Sequence, residues 1–347
     1  MSLKTDRESY KPFLGLLDPS LRTAIGMGAM LRSLLFGVSL LLSPAALAQD
    51  WPQRPVRLIV PYPAGGGADA IARVLAQKLG DVFGQRFVVE NKTGASGMIG
   101  AQTVAKGSPD GYTFLLASPA EIAINHHLFK DMAYDPVADL MAVSLLAWTP
   151  IVLAAHPSLK ASNPTELVKL AQSQPVDFST PGVGSAHHLT GEYINKLHAT
   201  HLVHVPYRGA APAVADAVGG QVKLTISGMP PVVQFLQAGT LKGIAVTTKQ
   251  RSPTFVNIPA LAETKGFEDF DFTNWFGLLA RVGTSQAILD KLAEASAAVL
   301  KESQVRETLN TQAAEAVGNT PAEFRAFIRS ESDKYAKIVK LTGINLK

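Results

Sequence analysis

Five of the seven residues 56–62 are apolar or aromatic, and apolar residues then recur every four residues at Ile71, Leu75 and Leu79. A short continuous apolar run is typical of a buried strand, and a four-residue period places the later positions on one face of an amphipathic helix. The loop between them, residues 63–67, contains three consecutive glycines, which allow a sharp turn and close approach to the backbone. The pattern predicts a strand, a loop and a helix whose N-terminal amides favour a bound anion.

The same order of strand, loop and helix recurs along the rest of the chain. Further strands are predicted at residues 87–90, 112–116, 141–146, 151–155, 176–179, 202–206, 222–226, 242–246 and 272–280. Helices are predicted at residues 98–105, 164–172, 186–197, 212–218, 231–237, 285–300 and from a cap at 320 to about 341. This alternation indicates an α/β fold with parallel sheets covered on both faces, and 347 residues suffice for two domains.

Small polar residues follow the predicted strands. Ligands of open α/β sheets lie beyond the carboxyl ends of the strands. Four segments with unusual chemistry occupy such positions: residues 62–69, Ser118, residues 180–185 and Arg208. We therefore expect them to converge on one binding site.

The N-terminal segment predicts export. Arg32 precedes a nine-residue apolar segment, residues 34–42, and residues 46–48 have the small-x-small form of a cleavage site. This is the order of a secretory signal, and nine apolar residues are too few to span a bilayer. We expect cleavage after Ala48, a mature chain from Gln49 and a periplasmic location; the alternative is a short buried helix. The sequence leaves three possible translation starts: Met1, Met27 and Met30.

Composition excludes several classes of function. The chain has no cysteine, which excludes thiol catalysis, iron–sulfur clusters and cysteine-based zinc sites. Removal of residues 1–48 leaves 27 basic and 25 acidic residues, so the net charge falls from +4 to +2. Because no basic tract accompanies this charge, we expect no nucleic-acid partner. Neither a Walker A motif nor an H-E-x-x-H motif is present, and we expect no cofactor and no metal.

Ser185 introduces the alternative of a secreted serine hydrolase. A nucleophile elbow needs serine between the glycines of G-x-S-x-G, whereas Ser185 follows the second glycine of residues 182–184. A hydroxyl in this position is suited to capping helix amides or holding an anion. His187 and His188 are adjacent, so on a helix their side chains diverge by about 100°. We expect no catalysis; one of the two histidines could donate to a bound carboxylate.

Three charged residues each have two interpretations. Asp69 stands at a helix start and could cap that helix or take part in binding. Arg208 follows a strand, where a guanidinium suits bidentate carboxylate recognition, but it could equally be a solvated surface residue. Asp216 lies within a predicted helix and faces either a cleft or solvent.

Two loops rich in glycine and hydroxyl residues, each followed by a helix, occur in separate halves of the chain. Both are suited to the carboxylates of one small organic anion, and such sites tend to lie at domain interfaces.

A set of short motifs extends along residues 51–347: residues 61–69 (PYPAGGGAD), 89–92 (VENK), 94–97 (GASG), 109–112 (PDGY), 184–185 (GS), 188–189 (HL), 205–209 (VPYRG) and 277–278 (GL). In these motifs the chain resembles the Bug family, the TctC-like solute receptors of tripartite tricarboxylate transporters.

The resemblance implies a type II periplasmic-binding-protein fold, which is an α/β fold of two doubly wound lobes around a ligand cleft. Lobe 1 would comprise residues 49–148 plus 273–347, and lobe 2 residues 149–272, with crossings near Trp148 and Trp275.

The resemblance also implies the function and the site. The chain would be a monomeric extracytoplasmic receptor, not an enzyme, that binds a small carboxylate and delivers it to membrane permease subunits. The alternative within binding proteins is an orphan receptor that signals to a sensor kinase. Backbone amides would bind the ligand, since the first loop has no cationic side chain. The implied ligand-binding residues are Tyr62, Ala64, Gly65, Gly66, Asp69, Ser118, Thr180, Gly184, Ser185, His188, Arg208 and Asp216.

Overall fold

The computed structural model describes residues 51–344 and residue 346. The predicted signal peptide and its cleavage after Ala48 lie outside these residues. Among the helices of the described part, none is both long enough and apolar enough to cross a bilayer.

The described residues from Pro52 onward form ten strands and ten α-helices. The strands are β1 (Val56–Val60), β2 (Phe87–Asn91), β3 (Thr113–Ala117), β4 (Leu140–Ala155), β5 (Val176–Thr180), β6 (Leu202–Pro206), β7 (Leu224–Gly228), β8 (Lys242–Val246), β9 (Thr273–Arg281) and β10 (Glu315–Ala316). The helices are α1 (Gly67–Phe83), α2 (Met98–Ala105), α3 (Asn125–Leu128), α4 (Pro164–Ser173), α5 (Ala186–His198), α6 (Ala210–Val218), α7 (Val233–Gln237), α8 (Gln286–Lys301), α9 (Ser303–Asn310) and α10 (Pro321–Thr342). Helical turns at Ala95–Gly97, Ala120–Ile124 and Leu261–Glu263 complete the set.

The first unit forms as its apolar pattern predicts. β1 is almost wholly buried, and α1 buries Ile71, Leu75 and Leu79 on one face. The helix ends at Gly84, which adopts the left-handed conformation (φ 64°) that glycine tolerates best. The predicted strand, loop and helix are therefore confirmed.

The predicted parallel sheets occur in each half of the structure, but the strands between them are antiparallel. β1 pairs in parallel with β2 and β3, and β5 pairs in parallel with β6 and β7. β9 is antiparallel to both β3 and β4, and β4 is antiparallel to β7 and β8. The strand order is β2-β1-β3-β9-β4-β7-β5-β6, so two antiparallel strands lie between the parallel sets.

The two strands predicted at 141–146 and 151–155 are one continuous strand, β4. Its first part, up to Pro150, pairs with β9, and its last part, from Ile151, pairs with β7 and β8. Pro150 has no N–H group to donate to a neighbouring strand. It is tolerated here because it lies where β4 changes partner strands, so that no inter-strand hydrogen bond needs its N–H. β4 thus joins the two halves of the α/β structure. β10 pairs with β4, and α9 packs against β10; the sequence pattern predicted neither of these elements.

The result is an α/β fold of two lobes. The carboxyl ends of β1 and β3 lead into loops of one lobe, and those of β5 and β7 lead into loops of the other. The loops from both lobes line a common cavity. The residue boundaries of the lobes stay a prediction.

Candidate functional site

A cavity lies among the loops that follow β1, β3, β5 and β7. It contains about 570 Å³ of space unoccupied by protein atoms, its opening to solvent included. Its lining comes from the loops of both lobes and from β9: Tyr62, Pro63, Gly66, Gly67, Ala68, Ser118, Pro119, Ala120, Pro181, Ser185, Ala186, His187, Ala210, Gly228, Pro230, Pro231, Asn274 and Phe276. We call this space the main cavity.

The N-terminus of α1 forms one wall of the main cavity. Gly65 has φ +82°, a left-handed conformation that turns the loop toward the helix. Gly66 is the N-cap and has no side chain to bond the first amides. The first helical hydrogen bond runs from the N–H of Ala70 to the carbonyl of Gly66 (3.0 Å). The N–H groups of Gly67 and Ala68 therefore precede the helical ladder and belong to residues that line the cavity.

Asp69 holds this loop in place. Its carboxylate accepts hydrogen bonds from the backbone N–H of Gly65 (3.1 Å) and from Nε and Nη2 of Arg73 (both 2.9 Å). Nδ2 of Asn91 donates to the same carboxylate (3.0 Å) and to the carbonyl of Tyr62 (2.9 Å). Burial raises the pKa of Asp69, but the hydrogen bonds outweigh burial and keep this pKa below its ordinary value. Asp69 is neither the N-cap nor a cavity residue; it positions the loop.

The N-terminus of α5 forms the facing wall. Ser185 is the N-cap: its hydroxyl accepts from the N–H of His188 (3.2 Å) and donates to the carbonyl of Gly182 (2.8 Å). This confirms the predicted strand, loop and helix at this point. The N–H groups of Ala186 and His187 come before the helical ladder, and both residues line the main cavity.

Three side chains behind this loop fix its shape. Nδ1 of His188 accepts a hydrogen bond from the N–H of Gly184 (3.2 Å), and its ring stacks on that of His204 with centroids 3.9 Å apart. Nε2 of His204 and the hydroxyl of Thr180 are 2.6 Å apart. Burial lowers the pKa of His188 to about 4 and that of His204 to about 3, so both rings are neutral at neutral pH. Thr180, His188 and His204 thus support the loop from outside the main cavity, and Gly184 is the loop residue that His188 holds.

The two lobes touch beside the main cavity. A Cβ atom on Gly209 would lie 2.8 Å from Cδ of Pro63, and one on Gly65 would lie 4.0 Å from Cβ of Ala211. Gly209 also has φ +110°, which L side chains rarely adopt. This position requires glycine for two reasons, and the glycine lets the two loops close against each other.

The carboxyl group of Glu121 is buried beside Ser118, a residue that lines the main cavity. A hydrogen bond of 3.1 Å joins the hydroxyls of Tyr62 and Ser118. Oε2 of Glu121 accepts from the N–H of Ser118 (2.8 Å) and from its hydroxyl (3.0 Å), while Oε1 is buried without a hydrogen-bond partner among the described residues. Burial raises the pKa of Glu121 to about 7.

Arg208 and Asp216 lie apart from the main cavity. Arg208 is exposed and lines a second cavity, which shares Tyr62, Pro63 and Pro181 with the first. Within the described residues it has no hydrogen bond or ion pair. Asp216, on α6, accepts a hydrogen bond from the hydroxyl of Tyr207 (2.6 Å) and lines neither cavity.

The structure separates the predicted site residues into three groups. Those that line the main cavity are Tyr62, Gly66, Ser118 and Ser185. Those that line the second cavity are Tyr62 and Arg208. Those that line neither are Ala64, Gly65, Asp69, Thr180, Gly184, His188 and Asp216. Both predicted loops line the main cavity, but the first loop does so with Gly66 and Gly67 and not with Gly65.

Sequence reasoning missed several cavity residues. His187 was not among the predicted ligand-binding residues, although one of His187 and His188 was expected to be able to donate to a carboxylate; it is 5% exposed and lines the main cavity. Gly228, Asn274 and Phe276 belong to no motif in the sequence. They lie at the cavity because of the order of strands in the sheet, which brings β7 and β9 to the site. Within the described part of the chain, no cluster of side chains could hold a metal ion.

Comparison with known proteins agrees with this geometry. Residues 71–344 match the family described as "Tripartite tricarboxylate transporter family receptor", TctC. Protein BugT of Bordetella pertussis is 36% identical over 303 residues, which cover 86% of this chain and 93% of BugT.

Two solved structures are similar along their whole length. "R. palustris Rpa4515 with adipate" has a TM-score of 0.82 and 33% identity and covers 85% of this chain and 99% of its own. MatC from Rhodopseudomonas palustris with bound malate has a TM-score of 0.79 and 28% identity and covers 83% of this chain and 100% of its own. These similarities confirm the predicted type II periplasmic-binding-protein fold. The chain belongs to the tripartite tricarboxylate transporter receptor family, the TctC or Bug family.

Proposed function

We propose that this chain is an extracytoplasmic receptor that binds a small organic carboxylate between its lobes and delivers it to the permease of a tripartite transporter. The observation that carries the proposal is that the N-termini of α1 and α5 line one cavity. Free N–H groups and the positive end of the helix dipole favour a bound anion at such termini. The adipate and malate held by the two similar structures support a carboxylate as that anion.

The charge of the site supports amide recognition. Among the described residues that line the main cavity, none is lysine or arginine. A carboxylate there would be stabilised by the amides of Gly67, Ala68, Ala186 and His187, directly or through water. The contact between Pro63 and Gly209 would exclude solvent once a ligand is bound, as in hinge closure of two-lobe receptors.

The hydrogen bonds of Ser185 oppose the hydrolase alternative. Its hydroxyl donates to the carbonyl of Gly182, so its proton is not offered to a general base. His188, one of the two histidines that follow Ser185 closely in the sequence, uses Nδ1 to accept from the backbone N–H of Gly184. The family and the similar structures are receptors, and we propose that this chain has no catalytic activity.

We propose a periplasmic monomer that is cleaved after Ala48, with lobe 1 formed by residues 49–148 plus 273–347 and lobe 2 by residues 149–272. The change of partner strands in β4 after Pro150 supports this division. Delivery to a permease is favoured by the family, and signalling to a sensor kinase is the alternative.

A thermal-shift screen of the mature chain, from Gln49, tests the proposal. Mono-, di- and tricarboxylates are compared with neutral sugars and amines of similar size. At about 100 times its Kd, a bound acid should raise the free energy of unfolding by about 2.7 kcal/mol, which is several degrees for a chain of this size. The absence of stabilisation by any acid would contradict the proposal, as would ester hydrolysis that Ser185→Ala abolishes.

A further inference from the structure

Glu121 is a buried carboxyl group with no part in the amide recognition of a carboxylate. It is 0% exposed and lies against Gly97, where any side chain would collide with it. Its Oε2 accepts hydrogen bonds from the N–H and the hydroxyl of Ser118, whereas Oε1 has no hydrogen-bond partner among the described residues. A buried carboxylate with a bare oxygen is costly, so this site favours the neutral form of the group.

The elements packed around Glu121 bring it no positive charge near neutral pH. It lies in the helical turn Ala120–Ile124, which packs against β3, α3, α10 and the turn Ala95–Gly97. β3 and the turn Ala95–Gly97 contain no titratable side chain. Those of α3 are His126 and His127, and burial lowers the pKa of both rings, so they are mostly neutral above pH 6.5.

The titratable side chains of α10 do not compensate Glu121 either. Lys334 is paired with Glu331, and the other charged side chains of this helix are exposed. Tyr335 is buried, and Tyr134 donates its hydroxyl to the backbone carbonyl of Glu121 (2.8 Å). Burial raises the pKa of both tyrosines, so neither ionises near neutral pH. Glu121 therefore has no ion-pair partner in the described part of the chain.

A chain of hydrogen bonds connects Glu121 to the wall of the main cavity. The hydroxyl of Ser118 donates to Oε2 of Glu121 (3.0 Å), so in its hydrogen bond with Tyr62 (3.1 Å) the Ser118 oxygen accepts and the Tyr62 hydroxyl donates. Tyr62 and Ser118 line the main cavity, whereas Glu121 does not. An ionised Glu121 thus draws both hydroxyl protons toward itself. A neutral Glu121 can donate to Ser118 instead, which allows both hydroxyls to turn the other way.

A carboxylate in the main cavity would act on this chain in one direction. Only one residue, Ser118, separates the cavity from the Glu121 carboxyl group, so the charges of a bound anion and of an ionised Glu121 repel each other. The hydroxyl dipoles add to this effect, because those drawn toward an ionised Glu121 point away from the anion. Burial already raises the pKa of Glu121 to about 7, so a further small change in its surroundings alters its protonation near neutral pH.

We propose that Glu121 is a proton site linked to the ligand: it takes up a proton when a carboxylate binds in the main cavity, so that the receptor holds its acid together with one proton. This inference rests on the proposed function, in which the helix N-termini bind the carboxylate. Glu121 need not touch the ligand, because Ser118 and the charge of the anion transmit the effect. Since linkage is reciprocal, protons strengthen binding, and affinity falls as the pH rises through the neutral range.

Isothermal titration of the mature chain tests the inference directly. The probes are adipate, malate and every acid that stabilises the chain in the thermal-shift screen. Titrations at pH 7.3 in Bis-Tris and in Tris, two amine buffers with different heats of ionisation, give the number of protons taken up. We expect about half a proton per bound acid, and an affinity that falls about tenfold from pH 6.5 to pH 8.5. Carboxylic acids are ionised in this interval, so the protein and not the probe takes up the proton.

Glu121→Gln is the decisive variant. Glutamine has nearly the same shape, keeps an oxygen that accepts from Ser118, and cannot ionise. It is expected to abolish proton uptake and to keep the affinity of the native chain at pH 6.5 up to pH 8.5. The matched control is Glu331→Gln, which changes a buried carboxyl group that accepts from Nε1 of Trp275 (2.9 Å) and lines neither cavity. This control should keep the pH dependence of the native chain.

The outcomes separate the inference from the proposed function. If an acid binds the native chain without proton uptake and with constant affinity from pH 6.5 to pH 8.5, the inference is overturned and the carboxylate receptor stands; this result does not depend on the folding of any variant. Proton uptake that persists in Glu121→Gln, or that Glu331→Gln abolishes equally, overturns it too. If no acid of the screen binds, the proposed function itself fails, and the inference fails with it.

Discussion

Ala186→Pro is expected to weaken carboxylate binding about 10- to 150-fold while the chain stays folded. Ala186 is the first residue of α5, and its N–H is one of the amides that we propose to bind the ligand. Proline removes that N–H and places a ring carbon in its position. The range corresponds to the loss of one hydrogen bond to a charged group, about 1.5–3 kcal/mol.

The fold should tolerate this proline. Proline is well accommodated at the first position of a helix, and Pro164 and Pro321 already occupy it in α4 and α10. Ser185, the preceding residue, has φ −73° and ψ 157°, which is the extended conformation that a following proline requires.

The matched control for this variant is Gln286→Pro at the first position of α8, which does not line the main cavity. Isothermal titration with the acid found in the screen measures both variants. Unchanged affinity in Ala186→Pro, or an equal loss in Gln286→Pro, would contradict amide recognition by α5.

Glu121→Gln is expected to remove a pH dependence of stability between about pH 4.5 and 7. Glu121 is fully buried, and burial raises its pKa from 4.5 to about 7. Between these values the folded state binds more protons than the unfolded state, so the contribution of Glu121 to the free energy of unfolding decreases as the pH rises. A shift of this size corresponds to about 3 kcal/mol.

The measurement is the difference in unfolding free energy, native chain minus Glu121→Gln, from urea titrations at pH 4.5, 5.5, 7 and 8. A difference is needed because burial lowers the pKa of His187 and His188, which makes both proteins less stable as the pH falls below about 6.5. The pKa values of Tyr62 and Tyr134, beside Glu121, are raised, so neither titrates in this interval. The difference should fall by about 3 kcal/mol and then level off; a difference that is constant with pH would rule out a buried, titrating Glu121.

The parts of the site that the sequence could predict are those determined locally. Ser185 caps α5 because a serine hydroxyl can reach the N–H three residues later, and this needs only the residues of one turn. The glycines of residues 65–67 likewise imply a sharp loop with accessible amides whatever surrounds them. The two walls of the cavity were therefore predicted correctly as strand, loop and helix.

The parts that could not be predicted depend on packing between distant segments. Pro150 suggested a break between two strands, but β4 continues through it because the strand exchanges β9 for β7 and β8 at this point. Asp216 was a candidate because it is an acidic residue on a helix, and only the position of Tyr207 shows that it is used elsewhere. Asn274 has no local signal at all; it reaches the cavity because β9 lies between β3 and β4.

The crystal structure of the mature chain with the tightest acid of the screen tests most directly whether the two helix N-termini hold one anion. We expect carboxylate oxygens about 2.7–3.2 Å from the backbone nitrogens of Gly67 or Ala68 on one side and of Ala186 or His187 on the other, or joined to them by a single water. A carboxylate paired with Arg208 in the second cavity, or bound away from both helices, would contradict it.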